Sequence, residues 1–324
     1  MNNIIKKLKK ENLKGRSGSL FPTGKKWEII KNRKEKHKYI ICNGTEGEPG
    51  VFKDKYILEN YPEEVLNGIK IAINTIKAKK AFIYLNETYY KEYKEVLNKL
   101  KKEYPIELFK TREKYLAGEE TTACNLIEGG KRIEAREKPP YPTEKGLWNS
   151  PTLINNIETF YYVSKISKNQ YNKTKFYCIA GKVNQKKVIE LPLDATIKKV
   201  LEKTNNLPNF DFFVQVGGGA AGKIFLSSEL DHKIKGLGSV IIYDKQKMDL
   251  FAFLKEKIDF FLKENCDRCT PCREGTHRIK KMIEKKEIDN KILKDLFFVM
   301  ENTSLCPFGE TIPPLIKSAI NKLQ

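Results

Sequence analysis

Residues 38–44 read KYIICNG, residues 81–86 AFIYLN and residues 106–110 IELFK, three short apolar runs rich in Ile, Phe and Tyr whose length suits buried strands. Between the first two, Pro62 opens a helix with Val65, Leu66, Ile69, Ile73 and Ile76 on one face. A Lys/Glu-laced helix over residues 88–103 separates the second from the third. Strand, helix, strand, helix, strand in this order predicts an α/β fold with a parallel sheet and helices on its faces.

Outward from that core the texture changes. The stretch KPPYPTEKGLW, residues 138–148, is stiff and poor in backbone donors, and reads as a loop. After residue 172 come short strands, FYCIAGKV, KVIELPL and FFVQVGGG, around one helix near 196–204, a small α+β module. The last stretch is helical throughout: Leu250, Leu254, Ile258 and Phe261 share one helical face, Ile279 and Met282 another, Ile292, Leu296 and Met300 a third, and Leu315 and Ile320 a last. Three domains are expected, residues 1–171, 172–244 and 245–324.

The 324 residues carry 61 Lys and Arg against 41 Asp and Glu, a net charge of +20. Such an excess suits nucleic acid, an anionic membrane or an acidic protein. The lysines are scattered among many Asn and Ile rather than clustered, and no nucleic-acid-binding motif is present, so nucleic acid is not expected as a partner. No secretory signal and no membrane-spanning apolar run are seen, and a cytoplasmic protein is expected, with membrane association only through partner subunits.

Three of the seven cysteines stand in CDRCTPC, residues 266–272, and Cys306 follows with Pro307 behind it. Two-residue spacers let a looped backbone turn successive thiolates toward one inorganic core, and Cys266, Cys269, Cys272 and Cys306 are the expected ligands of a [4Fe–4S] cluster. Zinc competes, but its structural sites usually present two separated C-x2-C pairs. Cys42, Cys124 and Cys178 stand singly in apolar surroundings and read as core residues.

Three loops are rich in Gly, Glu or both. GRSGSLFPTGKKW, residues 15–27, combines glycines that permit close approach with Arg16, Lys25 and Lys26 for phosphate, though such loops also bend for other reasons. NGTEGEPGVFKDK, residues 43–55, follows a strand where open α/β sheets bind ligands, or is a solvated acidic turn. AGEETTACNLIEGG sets Gly118 and Glu119 at a helix start, as anion donors or as a plain cap. Asn155 and Asn156 offer amides to a flat heterocycle or cap the end of an element.

In order along the chain these blocks resemble one family, the flavin-bearing NADH-oxidising subunit of complex I and its relatives in NAD-linked hydrogenases and formate dehydrogenases. GRSGSLFPTGKKW is similar to GRGGAGFPTGxKW, ICNGTEGEPGVFKDK to xCNADExEPGTFKDR, and AGEETTACNLIEG to CGEETALLxSLEG. KPPYPTEKGLWNSPTLINNIET is similar to KPPFPAxxGLWxxPTxVNNVET, and CDRCTPCREGT to CGxCxPCREGT. The resemblance implies a Rossmann-like FMN/NADH domain, a ubiquitin-like β-grasp module and a helical bundle bearing the [4Fe–4S] cluster. It implies an FMN pocket of Gly15, Arg16, Gly18, Lys26, Asn43, Glu46, Gly118, Glu119, Glu120, Asn155, Asn156 and Thr159. NADH would lie along Phe21, Glu48, Lys138 and Tyr141, with Glu46 and Glu48 as the charges that tune the flavin. Electrons would leave through a small thioredoxin-like [2Fe–2S] subunit or a ferredoxin, within a hydrogenase, formate dehydrogenase or complex I-like assembly.

The chain departs from the family pattern at Ser17, Leu20 and Thr45, where glycine, glycine and aspartate are usual, and at Ile29, where an aromatic is common. An N-terminal extension usual in the family is not expected. These departures keep two other readings in play: an FMN and cluster subunit that exchanges electrons with ferredoxin or another carrier, and a non-catalytic scaffold braced by its cluster. GGGAAG, residues 217–222, reads as a tight turn, with a small-cofactor site as the alternative.

Overall fold

A computed structural model describes residues 3–324, which divide into two compact units. The first holds the residues up to Gly47 together with Phe52–Phe176, and the second Glu48–Val51 with Tyr177–Gln324.

In the first unit α1 (Asn3–Lys10) and α2 (Thr23–Asn32) precede β1 (Tyr39–Gly44), α3 (Lys53–Asn60), α4 (Pro62–Ile76), β2 (Lys80–Asn86), α5 (Glu87–Lys101) and β3 (Ile106–Thr111). Then follow α6 (Glu120–Ile127), α7 (Pro142–Lys145), β4 (Thr152–Asn156) and α8 (Ile157–Ser167). The strands lie in the order β3-β2-β1-β4, all parallel. Ile40, Ile41 and Cys42 of β1 are fully buried, as parallel strands covered on both faces require. Tyr39, Ile41, Phe82, Tyr84 and Ile154 pack with Ala123, Cys124 and Ile127 of α6. Where α4 crosses α8, Gly68 lies so close that a β-carbon would overlap the Phe160 carbonyl.

The α/β expectation holds, with additions. Asn155 and Asn156 end a fourth strand, paired in register with Cys42 and Asn43. The run TLINN is short and half polar, so its strand character comes from β1 beside it rather than from its own residues. The Pro-rich stretch 138–148 is a loop except for α7, where Pro142 is pre-set for a first helical turn, and the start of a 3-10 turn over Leu147–Asn149.

The second unit comprises β5 (Thr174–Gly181, entering from the first), β6 (Lys187–Pro192), α9 (Ile197–Lys203), β7 (Phe212–Val216), β8 (Lys223–Leu226), β9 (Ser239–Asp244), α10 (Leu250–Glu264), α11 (Thr270–Lys285), α12 (Asn290–Thr303) and α13 (Pro307–Leu323). Its sheet runs β6-β5-β9-β7-β8, with β5 parallel and β7 antiparallel to β9. Val200 and Leu201 of α9 pack on Tyr177, Ile179, Val214, Val240 and Ile242. The four helices α10–α13 form the expected bundle and bury Leu254, Ile258, Phe261, Ile279, Ile283, Ile312 and Leu315. But α12 turns Leu293, Phe297 and Met300 inward, leaving Ile292 of the expected face 45% exposed and Leu296, like Met282 of α11, half-buried. Cys42, Cys124 and Cys178 are buried core thiols, as read from their neighbours.

Candidate flavin and cluster sites

In the first unit the carboxyl end of the parallel sheet gathers residues from loops far apart in sequence. The glycine loop closes on itself through Gly15 N donating to the Phe21 carbonyl at 2.9 Å, and its Arg16 N donates to Thr159 Oγ1 at 3.1 Å. The Arg16 guanidinium donates through Nη2 to Tyr171 Oη at 2.8 Å and to the Thr174 carbonyl at 3.2 Å, and lies over the Tyr162 ring. Among the described residues its buried Nε finds no hydrogen-bond partner. Gly18 takes φ +111°, and Leu20 adopts φ 53°, a conformation costly for a side-chain-bearing residue. Lys26, in the first turn of α2, donates to Glu120 at 2.7 Å and to the Ile154 carbonyl at 3.2 Å. Next to it Trp27 Nε1 donates to Asn155 Oδ1 at 3.0 Å, which fixes that amide's orientation.

Asn43, near the end of β1, donates to the Gly118 carbonyl at 2.8 Å and accepts from the Thr45 hydroxyl at 2.8 Å. Asn156 caps α8 and donates to the Asn43 carbonyl and to Asp54 Oδ2. Lys53 lies beneath, 2% exposed, bonded to Asp54 at 2.6 Å and Asn156 at 3.0 Å, with Glu158 at 3.3 Å. Burial alone would depress its pKa, but Asp54, Glu158 and Glu46 reverse this and keep the ammonium charged.

The two acidic loops shift their carboxyls in opposite directions. Glu46 accepts the Asp54 and Lys55 amides at the start of α3 and the Tyr89 hydroxyl at 2.9 Å. Burial, then the nearby Asp54 charge, push its carboxyl up to about 7 despite Lys53 and these donors. Glu119 is the N-cap of α6 and accepts from Thr121, Thr122 and Lys138, the last at 2.6 Å. Burial opposes its charge, but the Lys138 ammonium and the Thr donors outweigh that and hold the carboxyl below its usual range. Phe21 and Tyr141 keep their rings 38% and 55% exposed, free to meet a flat ligand.

Glu48 belongs to the second unit. Its carboxylate accepts the Ala220 and Ala221 amides, at 2.7 and 3.3 Å, in the turn between β7 and β8, where Gly217 and Gly218 take φ of +102° and +110°. The structure thus shows a turn at GGGAAG, held by an acidic side chain distant in sequence.

Cys269 and Cys272 sit at the N-terminus of α11 and Cys306 at that of α13, with Cys266 in the loop that leads into α11. Cys269 is the N-cap of α11 and Cys306 that of α13, each with a proline in the first turn, so the positive helix ends face the thiols. Cys272 and Cys306 are buried, Cys266 and Cys269 partly so. A hydrogen bond from Cys272 draws the Cys269 thiol down to about 5 against burial, helped by amides of Leu305 and Cys272. The same bond, followed by burial and the charges of Cys269, Cys306 and Cys266, pushes Cys272 up. Among the described residues no three His, Cys, Asp or Glu side chains are gathered tightly enough to hold one metal ion. A four-iron core is several atoms wide and takes its thiolates spread around it, so four thiols converging from two helix ends fit such a core. In the first unit an orphaned Arg16 donor and a glycine loop open to close approach likewise fit a phosphate-bearing flavin.

The sequence reading missed the supports: Trp27, Lys53, Asp54 and Glu158 in the first unit, and Asn265 and Ser304 beside the cysteines. The signal for the first group is a charged residue inside an apolar segment, as Glu158 is in INNIETFYY, all of whose residues are buried in the structure.

Both sites together define a flavin and iron–sulfur oxidoreductase subunit. Residues 8–165 match the family model described as the Nuo51 FMN-binding domain, and residues 252–324 that of the NADH-ubiquinone oxidoreductase-F iron-sulfur binding region. The F-type NADH-quinone oxidoreductase subunit of Aquifex aeolicus is 33% identical over 98% of this chain and 84% of its own length. The NADP-reducing hydrogenase subunit HndC of Solidesulfovibrio fructosivorans is 29% identical over 98% of this chain and 74% of its own. A crystal structure of NAD+-reducing [NiFe]-hydrogenase in the H2-reduced state superposes with a TM-score of 0.91 at 28% identity, covering 99% of this chain and 61% of that one. The chain belongs to the F-type family of NADH-quinone oxidoreductase subunits, whose cofactors are FMN and a [4Fe–4S] cluster.

Proposed function

We propose that this chain is the electron-entry subunit of an NAD-linked redox assembly, taking a hydride from NADH and passing electrons singly to a partner subunit. The observation that carries the reading is the presence in one chain of a buried Gly/Asn/Lys cradle at the end of a parallel sheet and of four thiols at two helix N-termini and the loop leading into one of them. A bound flavin supplies the conversion of a two-electron hydride into single electrons, which a cluster can accept.

The residues of the chain hold and orient. Gly15, Gly18 and Gly118 allow close backbone approach; Arg16 and Lys26 supply cations for phosphate; Asn43, Asn155, Asn156 and Thr159 supply polar groups; and Glu46, Glu119 and Glu120 set the local charge. Phe21, Lys138 and Tyr141 are assigned to the dinucleotide. Glu48 is tied to the turn at Ala220 and is assigned to holding that turn rather than to the hydride itself. Cys266, Cys269, Cys272 and Cys306 hold the cluster. The partner is a small [2Fe–2S] thioredoxin-like subunit or a ferredoxin, and the excess of basic residues favours an acidic one. Among the described residues no helix is long and apolar enough to cross a membrane.

A second reading, with another electron carrier in place of NADH, is favoured by Leu20, half-buried in a left-handed conformation within the glycine loop. Anaerobically purified chain should release flavin on denaturation and contain iron and sulfide. NADH added under argon should bleach the flavin. Bleaching by dithionite but not by NADH selects the second reading, and zinc in place of iron or a lack of flavin overturns both.

A further inference from the structure

Beside the four thiols lie two polar side chains that the family blocks do not contain. Asn265, the C-cap of α10, turns its amide on the ligand set: Nδ2 donates to Cys272 Sγ at 3.5 Å, while Oδ1 accepts the Asp267 amide at 2.9 Å and so fixes which way the group faces. Ser304 ends α12, and its Oγ is buried with no hydrogen-bond partner among the described residues. A buried hydroxyl without a partner is costly, because it gives up its hydrogen bonds to water and gains none in return. Its surroundings show where the hydroxyl belongs. A β-carbon built on Gly309 would overlap Ser304 Oγ and come within 3.0 Å of Cys272 Cβ, so Ser304 Oγ and Cys272 flank the same small space over the first turn of α13.

We propose that Asn265 and Ser304 are positioning residues that donate hydrogen bonds to sulfur of the cluster site, Asn265 Nδ2–H to Cys272 Sγ and Ser304 Oγ–H to a sulfur in the space shared with Cys272, and thereby raise the reduction potential. One electron entering the site adds one negative charge, and donors aimed at sulfur stabilise the more negative state more than the less negative one. Gly309 belongs to the device, since any side chain there fills the space that the hydroxyl needs. The inference rests on the assignment of a cluster to the four cysteines, and the test separates the two.

The experiment is a potentiometric titration of the full chain followed by electron paramagnetic resonance, with iron and sulfide assayed on each sample. Asn265→Ala and Ser304→Ala should each keep the iron content of the parent and move the midpoint to lower potential. The double variant should move further than either, and Asn265→Gln should recover part of the shift. In the unaltered chain, proton double resonance in H2O and D2O should show exchangeable protons coupled to the reduced site, one lost in each single variant. Unshifted midpoints at full iron content overturn the inference and leave the cluster assignment standing. If a variant loses its iron, the double-resonance spectrum of the unaltered chain decides, and absence of exchangeable couplings there overturns the inference. Absence of iron in the unaltered chain overturns the cluster assignment itself.

Discussion

Cys266, Cys269 and Cys272 lie within seven residues of sequence and Cys306 begins the next helix but one, whereas the residues assigned to the flavin come from separate stretches between Gly15 and Thr159. The thiols need little more than two helix ends brought together. The cradle needs β1 beside β4, α6 above them and a buried ion network below: Lys53, Asp54, Glu158 and Asn156. A compact site of strong ligands concentrates its free energy in a few atoms. A distributed one spreads it over supports that never touch the ligand, so the two should fail differently.

The largest effect tests that contrast directly. Cys306→Ala removes a buried thiol assigned to the cluster, and iron and sulfide should be lost while flavin content stays near that of the parent. Elemental and flavin assays on one preparation read both. Loss of flavin along with iron would mean that the cradle depends on the bundle, and the contrast would break.

Next in size, Lys53→Met should cost about 3–5 kcal/mol, because it leaves Asp54 and Glu158 buried without their cation. Urea unfolding reads the loss, and flavin should be released at lower denaturant, since Asn156 loses the donor that fixes it. A cost below about 1 kcal/mol would show that the network repacks and does not support the cradle.

This contrast also explains what the sequence made legible. Thiolate spacing is local, so CDRCTPC announces its chemistry before any fold is known. The strands β1 to β3 were legible for the same reason, each being a continuous apolar run. Strand β4 was not, because TLINN becomes a strand only by pairing with β1. Lys53 and Asp54 were visible as letters in the block GVFKDK, but a lysine 2% exposed cannot be told from a solvated one until Glu158 is placed beside it. Glu48 read as a neighbour of Glu46 two residues away, yet its carboxylate is held by Ala220 and Ala221, which no local pattern reveals.

Within the cradle the two buried acids sharpen the comparison through pH. Glu46 binds its proton more tightly in the folded chain, about 7 against an ordinary value near 4.5. As pH rises through that window the unfolded chain gives up this proton first, so Glu46 lowers stability progressively and then levels off. Glu46→Gln removes the slope, and the variant should gain about 1–3 kcal/mol on the parent between pH 4.5 and pH 8. Glu119 has the opposite sign, its folded pKa being depressed. Its contribution is present above the ordinary carboxylate value and lost as pH falls through the depressed one, so Lys138→Met should cost stability near neutrality and little in strong acid. Denaturation series at several pH values read both, and parallel slopes in all three proteins would contradict the opposite directions of the two shifts.

The smallest expected effect is at Leu20. Its φ of 53° costs a side-chain-bearing residue about 1–2 kcal/mol, which glycine would avoid. Glycine also loosens the unfolded chain by about 0.5–1 kcal/mol and gives up the packing of a half-buried leucine, so Leu20→Gly should stabilise by less than about 1 kcal/mol. Its value lies in a second readout. The substitution restores the glycine usual in the family at the point where close approach to the flavin or nicotinamide is expected. If the leucine side chain crowds that approach, NADH should bleach the flavin faster in the variant at equal flavin content. A raised unfolding midpoint with an unchanged bleaching rate would confine Leu20 to local backbone strain, and the distributed cradle would then tolerate a branched side chain in its own glycine loop.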